Sequence, residues 1–465
     1  MPEFNKLTEE DVECLRSIVG DRYVSLTGDD VEKASVDESP LVPHPPEAVV
    51  KPGSTAEVSA VVKLAYERKF PVTAQGGRTG LSGGSHPVRG GIALSMERMN
   101  KILEVDEANL TCTAEPAALI SEVHAETEAH GLYYPPDPGQ ESGSIGGNIS
   151  TNAGGMRALK YGVTRDYVQA LEVVLGTGEV TTMGGKNVKD STAYSLLDLV
   201  VGSEGTLCVV TKVTLRCVPK PKFTSLIYAP FDSARDAANA VAEIVKRRVQ
   251  PYALEYLPQH AVQTIEKYTD HKLPDDTHRA YLMVGIEANT EAEIDRLTEE
   301  AGTVCLELGA VDAFIADTAE QQKAIWDCRK KLFDAYMEFY ELDEADVCVP
   351  RSEVPAFVEE CERVAQRRGV LIAAVGHAGD GNVHCNILRG NQSDEEWAKV
   401  LKESIEELID ISLKMGGTIS GEHGLGYNKR QYLPRKVGET QVELMKAIKT
   451  AFDPRGILNP DKVWE

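Results

Sequence analysis

From Pro135 to Gly155 the chain reads Pro-Pro-Asp-Pro-Gly-Gln-Glu-Ser-Gly-Ser-Ile-Gly-Gly-Asn-Ile-Ser-Thr-Asn-Ala-Gly-Gly, with six glycines from Gly139 onward. A second run, Gln75-Gly-Gly-Arg-Thr-Gly-Leu-Ser-Gly-Gly84, holds five more. Simple loop turns need only one or two. Glycine permits positive φ and lets main-chain N–H groups approach a ligand closely. Successive exposed N–H groups form a concavity for phosphate oxygens, and Ser, Thr and Asn side chains add donors. A diphosphate is the natural guest. The chain nevertheless has no GxGxxG and no GxxxxGK, so neither a Rossmann dinucleotide site nor a P-loop is available. Whatever fold this is, it holds a diphosphate on glycine loops of another kind.

The pattern around these loops is regular. Thr8-Glu-Glu-Asp11 has capping-box spacing before Val12, Leu15 and Ile18. Ala48 to Val50 reads as a strand, Ser54-Thr-Ala-Glu57 caps a helix with Val58, Val61, Val62 and Ala65 at helical spacing, and Pro71 to Ala74 reads as the next strand. Residues 47–74 are thus a β-α-β unit. Strands are predicted at 92–95 and 111–114, a helix from Ala117 to His130, and a hairpin from 171–175 and 179–182 through Gly176-Thr-Gly178. Beyond Pro219-Lys-Pro221, strand-helix-strand patterns recur near 224–257, 280–315 and 347–388, followed by long helices at about 394–414 and 437–450. This predicts an α+β domain with helices on one sheet face.

At 465 residues, two or three domains are expected. The formal charge of −24 argues against nucleic acid or an anionic membrane as partner. Nine cysteines, none in a CxxC pair, argue against a disulfide framework, a zinc knuckle or an iron–sulfur cluster, and suit a reducing cytoplasm. The N-terminus lacks a signal-peptide pattern. No apolar run approaches the ~18 residues of a membrane span. A cytoplasmic protein with no transmembrane segment is expected.

Seven motifs then occur in order: Gly80-Leu-Ser-Gly-Gly84, Pro136-Asp-Pro138, Ile145-Gly-Gly-Asn148, Thr151-Asn-Ala-Gly-Gly155, Tyr161-Gly162, Gly202-Ser-Glu-Gly-Thr206 and Ile457-Leu-Asn-Pro460. The set closely resembles the vanillyl-alcohol-oxidase-type (PCMH-type) flavoproteins, within the branch of D-lactate, glycolate and D-2-hydroxyglutarate dehydrogenases. The resemblance spans residues 43–465. It implies an α+β chain in four parts: an N-terminal helical segment (1–42), an FAD-binding domain of two α/β subdomains (43–221), a substrate or cap domain with an antiparallel sheet (222–415), and a C-terminal segment (416–465) that returns to complete the flavin and active sites. It also implies an extended FAD. The pyrophosphate falls to Gly76, Gly77, Arg78, Thr79, Gly80, Leu81, Ser82 and Gly83 in one loop, and to Ser142, Gly146, Gly147, Asn148, Thr151, Asn152, Ala153, Gly154 and Gly155 in the other. Pro136, Asp137, Pro138, Tyr161 and Gly162 complete these motifs. Glu204 and Gly205 lie near the adenosine side, and Asn459 reaches toward the isoalloxazine. Gln75-Gly-Gly-Arg78 departs from the relatives' usual Arg-Gly-x-Gly. His86 is the one nearby residue suited to a covalent flavin link, and the expectation is non-covalent FAD.

Val375-Gly-His-Ala-Gly-Asp-Gly-Asn-Val-His384 places His377 and His384 across a turn at Gly379-Asp-Gly381. By themselves they are structural histidines of a hairpin or two ligands of a metal that needs a third group. Glu422, in Ser420-Gly-Glu-His-Gly424, is the best third candidate. HxGDGNxH followed by GEHG resembles the branch whose members bind one divalent cation with these three residues, and two imidazoles with a carboxylate suit zinc, manganese or ferrous iron. The same resemblance makes His423 the candidate base, Asn386 a hydrogen-bonding neighbour, and Arg329 or Arg351 the cation for a substrate carboxylate. Glu344 stands two residues before Asp346 where hydroxyglutarate enzymes tend to carry lysine, which disfavours a second substrate carboxylate. The expectation is a D-2-hydroxyacid dehydrogenase preferring D-lactate, with electrons leaving to electron-transferring flavoprotein or an iron–sulfur subunit, in an oligomer or hetero-complex. The alternatives are a glycolate oxidase flavin subunit and an electron-transfer flavin subunit with a vestigial substrate site.

Overall fold

Thr8 takes the Asp11 N–H on its hydroxyl at 3.3 Å while the Asp11 carboxylate takes the Thr8 N–H at 3.0 Å, and helix Glu9–Val19 follows from this capping box. Ser54 Oγ accepts the Glu57 N–H at 3.3 Å to start Thr55–Arg68, with the Glu57 carboxylate on the Gly53 amide, and that helix buries Val58, Val61, Val62 and Ala65. The computed structural model describes residues 3–464; Met1, Pro2 and Glu465, which end the expected terminal segments, lie outside them. The chain forms two units. One comprises residues 3–153, 163–220 and 423–464; the other comprises 154–162 and 221–422.

In the first unit the β-α-β element is present, with strands Ala48–Val50 and Val72–Gln75. They run parallel but are not neighbours, because Ile92–Ser95 lies between them and pairs with both. The C-terminus joins this sheet. Leu458 bridges Val72, and the Asn459 N–H reaches Val72 O at 2.7 Å. A second sheet is antiparallel, in the order Ile102–Asp106, Thr111–Ala114, Cys208–Arg216, Val168–Leu175, Val180–Gly184. Its last two strands are the expected hairpin. The helix expected from Ala117 runs Ile120–Ala129. It starts late because the Ala117 and Ala118 amides are taken by Met99 O and Glu115 O in a docking turn.

The second unit is built on one seven-stranded antiparallel sheet, ordered Phe314–Ala316, Phe223–Phe231, Ala280–Ala288, Ala253–Pro258, Leu371–His377, Asn382–Leu388, Leu342–Cys348. Helices cover both faces, not one. Gln259–Thr269, Ala319–Lys330 and Leu332–Phe339 share a core with Tyr228, Leu257, Met283 and Val375 of one face. On the other face Cys361 of helix Val354–Arg368 meets Cys385, and Gly302 of helix Glu291–Glu307 meets Ile227. The reason is visible in the central strand, Ala280-Tyr-Leu-Met-Val-Gly-Ile-Glu-Ala288, in which every residue is buried. A continuous apolar run demands cover on both sides, whereas alternation would demand it on one.

Candidate functional site

In the second unit the turn after His377 carries Gly381 at φ +93°. A Cβ there would stand 2.0 Å from Val349 O, so only glycine lets this hairpin close. The register pairs His377 with Asn382 and Val375 with His384. Both imidazoles therefore point to one sheet face, with ring centroids 5.3 Å apart and planes nearly perpendicular. Glu422 reaches them from a loop held by a buried acid. Asp346 Oδ2 accepts the Ser420 hydroxyl and the Gly421 and Glu422 amides, each at 3.0 Å, and Oδ1 accepts Asn382 Nδ2 at 2.7 Å.

Glu422 Oε1 lies 3.4 Å from His377 Nε2 and 3.3 Å from His384 Nε2. All three ligand atoms fall within 4.8 Å of one another. The other oxygen, Glu422 Oε2, is buried with no hydrogen-bond partner among the described residues. A Cβ on Gly154 would approach that oxygen to 2.8 Å, so a bare backbone lines this side. An orphaned buried carboxylate oxygen is costly unless a cation or donor completes it. A nitrogen–nitrogen–oxygen set of this kind fits a divalent metal of the zinc, manganese or ferrous type. Burial opposes ionisation of both partners, but the charges win. Glu255 and Glu422 lift His377 well above its usual range, and the two imidazoles hold the Glu422 carboxyl well below its own. Burial also pushes Asp380, in the turn, up to about 6.

Two residues that sequence reasoning did not single out as site groups stand behind the histidines. Glu255 is fully buried, with Oε1 2.7 Å from His377 Nδ1. Its Oε2 accepts Arg329 Nε at 2.9 Å, and Arg329 Nη2 sits at 2.7 Å, close but off the line of a good hydrogen bond. Asp346 Oδ1 lies 3.7 Å from His384 Nδ1, beyond hydrogen-bond length. The available signal for Glu255 was one acid within Ala253-Leu-Glu-Tyr-Leu-Pro258, since a lone carboxylate in an apolar strand must find partners.

Among the other expected site residues, Asn386 is buried and donates to Ala373 O and His384 O, both at 3.3 Å. Arg351 is exposed, at the start of the short turn Arg351–Glu353. His423 follows Glu422 but packs with the first unit. Gly154, Gly155, Tyr161 and Gly162 belong to the second unit, where Met156 and Tyr161 pack with Tyr252 and Ala253 and the Tyr161 hydroxyl bonds Glu287.

In the first unit the two glycine loops interlock. Ser144 Oγ accepts the Gly77 amide at 3.1 Å and the Gly147 amide at 3.2 Å. A Cβ on Gly76 would fall 2.1 Å from that hydroxyl, and one on Gly77 2.9 Å from Ser142 O. Arg78 takes φ +59°. Asn148 is buried, and its Nδ2 has no partner among the described residues, so a donor is left for a ligand. This supports a fit to the phosphate or ring oxygens of a flavin nucleotide. Nearby, Asp137 accepts the Gly139 amide, Thr151 donates to Gly147 O, Asn152 accepts the Arg165 amide, and Ala153 O accepts Thr164. The Gly202 and Glu204 amides reach Ile149 O and Ser150 O at 2.8 and 2.7 Å, tying this motif to the second loop. Glu204 spends its carboxylate on the Leu425 and Gly426 amides. Asn459 Nδ2 is spent on Gly84 O and Glu204 O, so that side chain joins the loops together. His86 is fully buried, with one ring nitrogen 3.0 Å from Asp37 and the other 3.1 Å from His44.

Two family models match the chain. A family model described as "FAD binding domain" matches residues 46–184, and one described as "FAD linked oxidases, C-terminal domain" matches 220–463, over half of the chain. The chain belongs to the FAD-linked oxidases. It is an FAD-dependent oxidoreductase of the D-lactate and glycolate dehydrogenase branch. It is 38% identical to a D-lactate dehydrogenase of Anaerostipes hadrus over 99% of this chain and 98% of that one. It is 40% identical to a D-lactate dehydrogenase of Archaeoglobus fulgidus (92% and 94% covered), and 38% identical to the glycolate oxidase subunit GlcD of Bacillus subtilis (92% and 91%). Among solved structures, p-cresol methylhydroxylase with substrate bound shares the fold at TM-score 0.80 and 19% identity, covering 100% of this chain and 98% of that one. No helix among the described residues is long and apolar enough to cross a membrane.

Proposed function

We propose that this FAD-linked oxidase converts a D-2-hydroxy acid, D-lactate preferred, to the 2-oxo acid with the help of one divalent metal held by His377, His384 and Glu422. Electrons then leave to a partner such as electron-transferring flavoprotein or an iron–sulfur subunit. The observation that carries the reading is the convergence of two imidazole nitrogens on one carboxylate oxygen at 3.4 and 3.3 Å, beside a second oxygen left buried and unpartnered. When bound, the metal acts as a Lewis acid on the substrate hydroxyl and FAD accepts the hydride. His423 takes the hydroxyl proton, since a neutral imidazole works near physiological pH. Arg329 serves the substrate carboxylate from a guanidinium already oriented by Glu255, and Arg351 is the second candidate. Asn386 lies on the same sheet face as His384 and keeps that strand fixed to Ala373 O.

The preference for a small acid rests on Glu344. It is buried, and its carboxylate lies within 4.8 Å of a His384 ring nitrogen. A second substrate carboxylate there would meet like charge in a low-dielectric setting. The relatives' names support both lactate and glycolate as substrates.

Anaerobic mixing with D-lactate tests the reading. Loss of the flavin's visible absorbance is expected, faster with the D than the L enantiomer. Flavin that stays oxidised with every small 2-hydroxy acid refutes it. His384→Ala is expected to lose metal and turnover while retaining FAD.

A further inference from the structure

We infer that Glu255 is a positioning residue, which fixes His377 as an Nε2 ligand and holds Arg329 in place with its second oxygen. The inference deepens the metal reading above and rests on it. A carboxylate only accepts hydrogen bonds, so the 2.7 Å contact from His377 Nδ1 to Glu255 Oε1 places a proton on Nδ1. The nitrogen left to bind an ion is Nε2, the one facing Glu422 Oε1 at 3.4 Å. The ring cannot turn over to offer Nδ1 instead without breaking that bond inside a buried pair. Ligating histidines are commonly fixed through their other ring nitrogen in this way.

The second oxygen makes the arrangement specific. Arg329 Nε donates to Oε2 at 2.9 Å, so Glu255 serves two donors with two acceptors. Arg329 also supplies the positive charge that lets a carboxylate stay ionised in the core. On the other imidazole, His384 Nδ1 lies 3.7 Å from Asp346 Oδ1.

Glu255→Gln is the discriminating change because it conserves shape and removes one acceptor. The amide has a single oxygen, and two donors compete for it. If the charged Arg329 takes the oxygen, the amide NH2 faces His377 Nδ1, which must then accept. The proton moves to Nε2 and blocks the ligand nitrogen. Glu255→Asp keeps two acceptor oxygens and serves as the conservative control.

Flavin-loaded protein stripped with a chelator is titrated with Zn²⁺ against a chromophoric competitor. Wild type is expected to bind one equivalent and His384→Ala none. Glu255→Gln is expected to bind ~10–100-fold more weakly, the usual effect of losing a partner behind a ligating histidine, with its flavin content unchanged. Glu255→Asp should fall between Gln and wild type. Wild-type affinity in Glu255→Gln, with His384→Ala still unable to bind, overturns this inference alone. No binding by wild type overturns the metal reading and this inference together. A measurement on wild type guards against a variant that does not fold. In the Zn²⁺-loaded protein, the ¹⁵N shifts of His377, assigned by their absence in His377→Gln, should report a protonated Nδ1 and a metal-bound Nε2. A metal-bound Nδ1 refutes the assignment.

Discussion

Asp346 accepts the backbone amide of Glu422, N to Oδ2 3.0 Å, from a side chain with no solvent exposure. The same oxygen takes the Gly421 amide and the Ser420 hydroxyl. The position of a metal-ligand candidate is thus fixed through its main chain by a residue in strand Leu342–Cys348, not by the helix that precedes its loop.

Asp346→Asn keeps the volume but turns an NH2 toward groups that are themselves donors. The loop amides or Asn382 must then lose an acceptor, at about 1–3 kcal/mol for a buried unsatisfied donor. The expected outcome is a loss of stability of that order, seen as a lower melting temperature, and loss of bound metal, with flavin retained. Metal analysis and flavin absorbance on one sample separate the two. Wild-type metal content in this variant contradicts the role given to Asp346.

Gly381→Ala tests the hairpin. Its φ of +93° disfavours any side chain, and the added Cβ would stand 2.0 Å from the backbone oxygen of Val349. Strained backbone of this kind costs of order 1–3 kcal/mol before the steric clash is counted. The turn must move, and with it the 5.3 Å spacing of the two imidazoles. Weaker Zn²⁺ binding together with a lower melting temperature is expected. Gly139→Ala, also at positive φ but with open space around its Cβ position, should fall in melting temperature by less.

Much of this was legible beforehand, for identifiable reasons. Capping at Thr8 and Ser54, the hairpin of Val168–Leu175 with Val180–Gly184, and helix Asp394–Lys414 follow local rules, and local rules survive in the fold. The grouping of His377, His384 and Glu422 was accessible through the family resemblance, because the hairpin register is short-range but spacing alone does not bring residue 422 to it. What stayed hidden is long-range. Nothing in sequence spacing relates Glu255 to His377, 122 positions away. Nor does it show that Asn459 would spend its amide on Gly84 and Glu204, or that 154–162 would pack with the second unit. Helix cover on both sheet faces also lay beyond it, since the expectation of one covered face rests on the alternation of helices with strands and not on the burial of Ala280–Ala288, where every residue is buried.

His86 should carry no covalent flavin. The ring is fully buried, and its nitrogens are engaged by Asp37 and His44. Acid precipitation is expected to release all the flavin to the supernatant, and a denaturing gel should show no flavin fluorescence at the position of the chain. His86→Phe should leave that result unchanged while destabilising the protein by about 1–3 kcal/mol, since Asp37 loses a buried partner. Flavin that remains with the denatured wild-type chain rules out the non-covalent assignment.

Lys462 gives a pH dependence with a definite sign. It is 2% exposed and donates to His86 O at 2.5 Å and Asn459 Oδ1 at 3.2 Å. Burial lowers its pKa to about 7, although Asp37, Glu204 and Asp461 oppose the shift. In the unfolded chain the amine returns to about 10.4. Between those values the unfolded state binds more protons than the folded one, so this group makes stability rise with pH. Below about pH 7 both states hold the proton, and the destabilisation is complete. Lys462→Met removes the titration while leaving His86 O without this donor, an offset that does not vary with pH. Melting temperatures of both proteins between pH 6 and pH 9.5 check the argument. The difference, wild type minus variant, should increase through the alkaline half of the range and stay flat below about pH 7. Parallel curves across the whole range would show that the amine is charged in the fold.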